Sequence, residues 1–481
     1  MNRNVSLYTI GQIVKLEGLF LLLPLLVSLC YKEFYLVQSF ALTILIALAL
    51  GFLLTIIFKK SDTPMYAKGG FITVAVSWIV LSLIGALPFT FSGEIPSYID
   101  ALFETVSGFT TTGSSILPDP SVLGKGLLFW RSFTHWVGGM GIIVLMLAVT
   151  PPETGRAIHI LRAEVPGPIV GKLVPRLRDT AKILYLIYFF LTIAEVLFLL
   201  CGGMSLFDSF IYSFGTAGTG GFGIKADSIA SYSPYLQWVI TIFMLLFGLN
   251  FNLFYLLLLR RVKSVVKSGE MWTYLGVVGV SVVIITLNIL SQYPQLPEAI
   301  RLSAFQVSSI ITTTGYSTAN FDLWPELSKT ILFLLMFIGG CAGSTAGGLK
   351  VSRIILLFKA MRRNYRRMVH PHSVGVVQLD GKRVEDDTIS GVTVYFALYM
   401  LIIAIVFLLL SFNGFDFETN LSATIACFNN IGPGLAGVGP ASSFAAYSGF
   451  SKLVLSFAML FGRLEIYPLL IALNPAVWTK K

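Results

Sequence analysis

The chain has 481 residues, 55% of them hydrophobic and only 12% charged, with a net charge of +10. Soluble domains carry about 25% charged residues, and single cores stop growing near roughly 250–300 residues. Together with a mean hydropathy of +0.81, this excludes one large soluble core and predicts a polytopic integral membrane protein. The basic surplus sits in short loops between apolar segments, where it sets topology and does not imply nucleic acid.

Apolar stretches near the roughly 20 residues needed to cross a bilayer fall at 8–30, 35–58, 68–90, 126–149, 182–203, 235–259, 271–292, 327–357, 389–412 and 448–473. The first contains Leu19 to Leu29 followed by Cys30, which imitates a lipoprotein signal. Leu29 stands where such a site needs a small residue, and the apolar run starts near Leu7, so a retained helix is expected. The stretch 327–357 is interrupted by Gly339, Gly340, Gly343, Gly347 and Gly348, too many glycines for a continuous helix. The four cysteines (Cys30, Cys201, Cys341, Cys427) lie far apart in or beside apolar stretches and are expected to be small buried residues.

Lys59, Lys60 and Lys68 occupy one loop, and Arg156, Arg162, Lys172, Arg176, Arg178 and Lys182 the next. Arg260, Arg261, Lys263 and Lys267 follow, then Lys359, Arg362, Arg363, Arg366, Arg367, Lys382 and Arg383. The positive-inside rule places these loops and both termini in the cytoplasm. The arginine cluster at 362–367 is also suited to contact anionic membrane lipid or a cytosolic subunit. His370 and His372 flank Pro371 in that loop and are expected to be solvated, not metal ligands.

The opposite-side connections at 91–125, 204–234, 293–326 and 413–447 are longer and rich in glycine and threonine. Each carries a short amphipathic helix candidate beginning near an acid (Asp100, Asp208, Glu298, Glu418) and ending in a polar glycine motif. An acid caps free amides and meets the positive end of a helix dipole, leaving about half a negative charge at the far end. The motifs are Thr110-Thr111-Thr112-Gly113, Ala217-Gly218-Thr219-Gly220, Thr312-Thr313-Thr314-Gly315 and Asn429-Asn430-Ile431-Gly432. One such motif is more often a helix-packing face. Four at the same place in a repeated order point to backbone carbonyls replacing an ion's hydration shell. In the second motif, Gly220 and the adjacent Gly221 both remain open as the key glycine. The predicted architecture is all-α: an N-terminal two-helix hairpin (1–60), then four tandem helix–pore loop–helix repeats at 61–155, 156–262, 263–370 and 371–481 around a central pore.

The sequence resembles the Trk/Ktr/HKT superfamily of potassium transport proteins, most closely its TrkH-type bacterial subunits. The likeness is carried by Gly108-Phe109 running into Thr110 to Gly113, by Phe129-Trp130-Arg131-Ser132 with His135-Trp136 and Gly138-Gly139-Met140-Gly141, and by Arg162-Ala163-Glu164 with Pro166-Gly167-Pro168. Thr312 to Thr318 and Asn430-Ile431-Gly432-Pro433-Gly434 complete it. The resemblance implies a K⁺ filter on Thr110, Thr111, Thr112, Gly113, Thr219, Gly220, Thr313, Thr314, Gly315, Asn430, Ile431 and Gly432. It also implies an intramembrane gating loop at 339–350, including Lys350, a homodimer, and a separate cytosolic TrkA-type nucleotide-binding regulatory subunit. Nothing in this chain is long and soluble enough to form a nucleotide fold of its own. Gly113, where some sodium-preferring relatives carry serine, favours K⁺.

Arg463 lies inside an apolar helix, matches a pore-lining arginine of the family, and is expected to face the pore near the gate and raise the barrier to cations. The competing arrangement is a pair with Glu465, although residues two apart do not face each other on a helix. Arg131 and His135, four apart, are expected to anchor at the membrane interface. Glu195 is expected to meet a polar partner within a span. The expected function is K⁺ conduction into a bacterium across its inner membrane, gated from the cytoplasm. The alternative is Na⁺- or H⁺-coupled symport, for which Glu195 is the main intramembrane carboxylate. With four histidines and no cluster of them with acids, an enzyme is not expected.

Overall fold

The computed structural model describes residues 3–58, 67–141, 177–372 and 375–478. Lys59, Lys60, most of the basic loop 150–182, the motifs at 162–168 and the end of the stretch 126–149 lie outside the described residues. Within them, six helical stretches are long and apolar enough to cross a bilayer: Asn4–Cys30, Phe34–Ile57, Lys68–Phe91, Ala181–Cys201, Gly269–Ile289 and Asp386–Asn413. Their exposed faces carry Leu45, Phe190, Leu287 and Leu408, while serines, threonines and acids such as Glu17, Thr192 and Glu195 are buried. That inversion suits a protein whose surrounding solvent is lipid. The protein is an all-α multi-pass membrane protein.

The N-terminal hairpin pairs Arg3–Phe20 with Phe34–Ile57. Small residues allow the close approach: a β-carbon on Gly51 would lie 2.9 Å from the Gly11 carbonyl oxygen. Four units follow, each with an outer helix, a short helix and an inner helix. The outer helices contain four of the six spans above, from Lys68–Phe91 to Asp386–Asn413. The short helices are Tyr98–Phe109, Leu206–Gly218, Leu296–Ile311 and Phe417–Phe428. Asp100, Asp208, Glu298 and Glu418 sit in their first turns, where they meet the positive dipole end. The capping itself falls to other residues. Ser97 and Ser205 accept from the amides of Asp100 and Asp208, and Asp416 from that of Thr419, while Gln295 provides no side-chain cap. The Thr419 hydroxyl and amide hold the Asp416 carboxyl below the ordinary aspartate value.

The inner helices Lys125–Met140, Pro234–Phe247, Glu326–Ile338 and Gly449–Arg463 have 16, 14, 13 and 15 residues. All are too short to span alone. The first ends at Gly141 (φ 79°) and the third at Gly339 (φ 74°). The second bends by 90° into Phe251–Leu258, with Asn250 capping the new helix through the Asn252 amide. The fourth stops at Glu465 (φ 56°) and Ile466 (φ 66°) before Tyr467–Leu473. The sequence predicts a break only in the third unit, so the stretches 235–259 and 448–473 are corrected to broken spans. Between the third and fourth units, strands Gln378–Leu379 and Lys382–Arg383 form a hairpin turned by Asp380 (φ 51°) and Gly381 (φ 75°), the Asp-Gly pair such turns favour.

Candidate ion-conduction site

Every short helix ends with the same backbone figure. The amides of Thr112, Gly220, Thr314 and Ile431 reach back five residues to the carbonyls of Ser107, Gly215, Ser309 and Ala426, at 2.9, 2.8, 2.9 and 2.9 Å. The residue before each is left-handed: Thr111, Thr219, Thr313 and Asn430 have φ of 55°, 55°, 57° and 56°. This is the six-to-one closure of a helix C-terminus, with a left-handed residue where glycine is usual. Holding a non-glycine residue there costs on the order of 1–3 kcal/mol per site. Two residues on, Gly113, Gly221, Gly315 and Gly432 again have positive φ, from 79° to 100°.

The second strip is therefore Gly218 to Gly221, one residue later than the sequence motif Ala217 to Gly220. Gly221 stands in the conformation of Gly113, Gly315 and Gly432. Gly220 is required for another reason: a β-carbon there would run into the His135 imidazole.

The strips meet one another in order. A β-carbon on Gly113 would strike the Gly220 carbonyl, one on Gly221 the Thr314 carbonyl, and one on Gly315 the Ile431 carbonyl. One on Gly432 would lie 2.9 Å from the Thr112 oxygen. Thr112, Gly220, Thr314 and Ile431 are the same position in each unit, the residue before the glycine. Unit one thus abuts two, two abuts three, three abuts four, and four returns to one.

Side chains brace this ring from behind. The hydroxyls of Thr110 and Thr112 bond at 2.7 Å, and those of Thr312 and Thr314 at 2.8 Å. Asn430 donates to Thr112 Oγ1 (2.9 Å) and the Met459 carbonyl (2.9 Å), and Ser114 to the Gly432 carbonyl (3.0 Å). Tyr399 donates to Asn429 Oδ1 at 2.7 Å. Thr111 Oγ1 and Asn430 Oδ1 are buried without a hydrogen bond among the described residues.

Arg131 and His135 belong to this brace and not to the membrane interface, where the sequence places them. They are 3% and 0% exposed. Arg131 pairs with Glu104 at 2.5 Å, donates to the Gly223 carbonyl at 3.0 Å, and lies 3.5 Å over the Phe222 ring. Glu104 also accepts from the Ser115 hydroxyl (2.9 Å) and the Ile116 amide (3.0 Å). His135 donates through Nδ1 to the Gly108 carbonyl (2.7 Å) and accepts through Nε2 from the Phe222 amide (3.3 Å). Both residues join unit one to unit two. Glu104 and Tyr399 carry no motif that marks them in the sequence; an acid one turn after Asp100 in the short helix is the available signal for Glu104.

Against the ring lies the loop from Gly339 to Lys350. Gly347 donates its amide to Thr313 Oγ1 at 2.7 Å, and a β-carbon on it would strike the Asn429 carbonyl. Gly339, Gly343, Gly348 and Lys350 have φ of 74°, 71°, 73° and 73°. Gly340 packs against Ala346, and Lys350 turns its ammonium back onto the Ala346 carbonyl. Arg463, the last residue of its inner helix, donates to Thr345 O at 3.0 Å and to the carbonyls of Gly138 and Gly139, each at 2.6 Å. It thus joins the loop of unit three to the inner helix of unit one. Glu465 pairs instead with Arg353, at 2.6 Å, and Arg353 lies 4.2 Å over Tyr395.

Glu195 is fully buried facing Thr216, and neither carboxyl oxygen has a hydrogen bond among the described residues. Cys341 and Cys427 are buried as expected, whereas Cys30 and Cys201 are exposed.

Four structurally repeated units, closing a ring of backbone strips inside a multi-pass bundle, define a protein of the membrane-transporter class. The family model "Cation transport protein" (TrkH) matches residues 36–290 and 271–479. The chain is 38% identical over 476 residues to the Trk system potassium uptake protein TrkH of Escherichia coli K12, covering 98% of each. It is 33% identical over 487 residues to that of Halomonas elongata, covering 100% of each. The crystal structure of the potassium transporter TrkH from Vibrio parahaemolyticus matches with a TM-score of 0.89 at 33% identity, covering 100% of both chains. The chain belongs to the TrkH family of cation transport proteins.

Proposed function

We propose that this chain is the ion-conducting subunit of a bacterial Trk-type uptake system, moving K⁺ inward across the cytoplasmic membrane. The observation that carries this reading is the closed sequence of glycine-to-carbonyl contacts around the four strips. Moving a bare cation into a low dielectric costs on the order of 20 kcal/mol. Carbonyls presented by Thr110 to Gly113, Gly218 to Gly221, Thr312 to Gly315 and Asn429 to Gly432 replace the lost water without adding fixed charge. The short helices direct their negative dipole ends to the same strips.

In this reading the loop 339–350 is the gate. Its glycines, Gly339, Gly340, Gly343, Gly347 and Gly348, permit it to change path. Lys350 and Arg463 place positive charge beside it, which raises the barrier to a cation while the loop lies against the ring. A cytosolic nucleotide-binding subunit moves the loop, and two copies of the chain assemble as a homodimer with both termini cytoplasmic. The names of the relatives, components of a Trk system, support a multi-part assembly.

The test is cation flux in liposomes for the parent, Gly113→Ser and Gly315→Ser. Each serine must adopt positive φ and displace a neighbouring carbonyl, so K⁺-over-Na⁺ preference should fall by about tenfold or more, equivalent to roughly 1.4 kcal/mol. Unchanged preference in both variants removes the filter assignment.

A further inference from the structure

We propose that Glu270 is a positioning residue that latches the loop 339–350, and that the hairpin 378–383 seats this latch through Asp380. The proposal rests on the reading of that loop as the gate. Glu270 is the second residue of the outer helix Gly269–Ile289 and is 7% exposed. A single carboxylate oxygen, Oε1, accepts from the Ala342 amide at 2.7 Å and from the Ser352 amide at 3.2 Å. These donors lie near the two ends of the loop, so one side chain of a neighbouring helix fixes its entry and exit together. Besides the Thr313 and Arg463 contacts given above, the loop is tied to the second unit by Cys341 N to Gly248 O at 2.9 Å, Phe251 N to Gly343 O at 3.1 Å and the Thr345 hydroxyl to Phe247 O at 3.3 Å.

A buried carboxylate and two buried amides satisfy one another, and none can leave without acquiring water or another partner. An opening that draws the loop aside must therefore break the contacts at Glu270. The preceding residue shows how such a break can be driven. The Gly269 amide donates to Asp380 Oδ1 at 2.7 Å, and Asp380 is the exposed turn of the hairpin. That hairpin also accepts from Lys359 at the Gln378 carbonyl, 2.6 Å away. Displacing it pulls on the first residue of the outer helix, next to Glu270. The latch is thus reachable from the surface without any contact to the ring.

The experiment uses the full-length protein in liposomes without a second subunit, with Cys30 and Cys201 changed to serine. K⁺ flux is measured together with maleimide labelling of Cys341, in the loop, and of Cys427, behind the ring, each read by mass spectrometry. Glu270→Gln keeps the shape and one neutral acceptor, and should raise flux and Cys341 labelling about threefold; Glu270→Ala should raise both about tenfold. Asp380→Asn should act in the same direction and less. Cys427 should stay unlabelled and the K⁺/Na⁺ preference unchanged. Parental flux and labelling in Glu270→Gln overturn the proposal, whether or not the alanine variant accumulates. Labelling of both cysteines together also overturns it, because that marks general loosening. Deleting Ser344 to Ala346 separates the two levels. If the deletion leaves flux parental, the gate reading fails; if it raises flux while the Glu270 variants do not, the latch alone fails.

Discussion

Replacing Arg463 with alanine tests the gate directly. The guanidinium donates to the loop at Thr345 O (3.0 Å) and to the first inner helix at Gly138 O and Gly139 O (2.6 Å each). Of these three bonds, the first must break when the loop moves against the ring, since the other two tie Arg463 to a different unit. A hydrogen bond to a charged group contributes about 1.5–3 kcal/mol, so its loss raises the open population roughly tenfold to a hundredfold. Removing the charge acts in the same direction. At an effective dielectric near 20, a cation within about 6 Å of a guanidinium meets a barrier of ~2–3 kcal/mol. Reconstituted K⁺ flux without any partner subunit should therefore rise by at least about tenfold in Arg463→Ala. Arg463→Lys should fall between, since lysine keeps a point charge and loses the fork that bridges two units. Flux equal to or below the parent at equal reconstitution would refute both the bond and the charge argument.

Arg131→Met strands the Glu104 carboxylate among buried groups and should destabilise the protein by about 3–5 kcal/mol, read as a lowered melting temperature in detergent; adding Glu104→Gln should recover most of it. Thr313→Val removes the acceptor for the Gly347 amide and should raise basal flux about threefold to tenfold, the effect of one neutral hydrogen bond. Thr111→Val, at the same place in unit one, should produce a clearly smaller leak, because Thr111 Oγ1 makes no hydrogen bond among the described residues and so holds no loop. Equal leak in the two valine variants would refute the link between loop and ring.

Much of the fold is legible because lipid imposes a coarse grammar. Apolar lengths mark the outer helices, and acid-to-glycine segments mark the short ones. What was illegible depended on contacts distant in sequence. Glu465 and Ile466 break the fourth inner helix without a glycine between them; the backbone is held there while Glu465 binds Arg353, 112 residues away. Arg131 and His135 share a helix face by their spacing, but only packing against units one and two decides that the face points inward. The doublet Gly220-Gly221 is ambiguous in sequence because both residues lack a β-carbon. It is resolved in three dimensions because one abuts an imidazole and the other a carbonyl.

The four units agree in backbone and disagree in side chain, and the pattern of disagreement is informative. Each keeps a left-handed residue two positions before a positive-φ glycine, so the carbonyl strips repeat. The left-handed residue itself is free to vary, since its side chain does not alter that path. Thr219 bonds its own neighbour, the Gly218 carbonyl, at 2.6 Å. Asn430 ties the fourth strip to the first and to its own inner helix. Thr313 alone among them holds the loop. The interrupted inner helices show the same division: all four stop after 13 to 16 residues, and the third is followed by a glycine-rich loop against the ring. In the proposed reading, symmetry is kept where a spherical ion would be coordinated and abandoned at the one segment assigned as the gate. With the loop read as the gate, four uniform closures would require concerted motion of four buried segments, whereas a single loop pinned by Thr313, Arg463 and Glu270 would open by moving one segment.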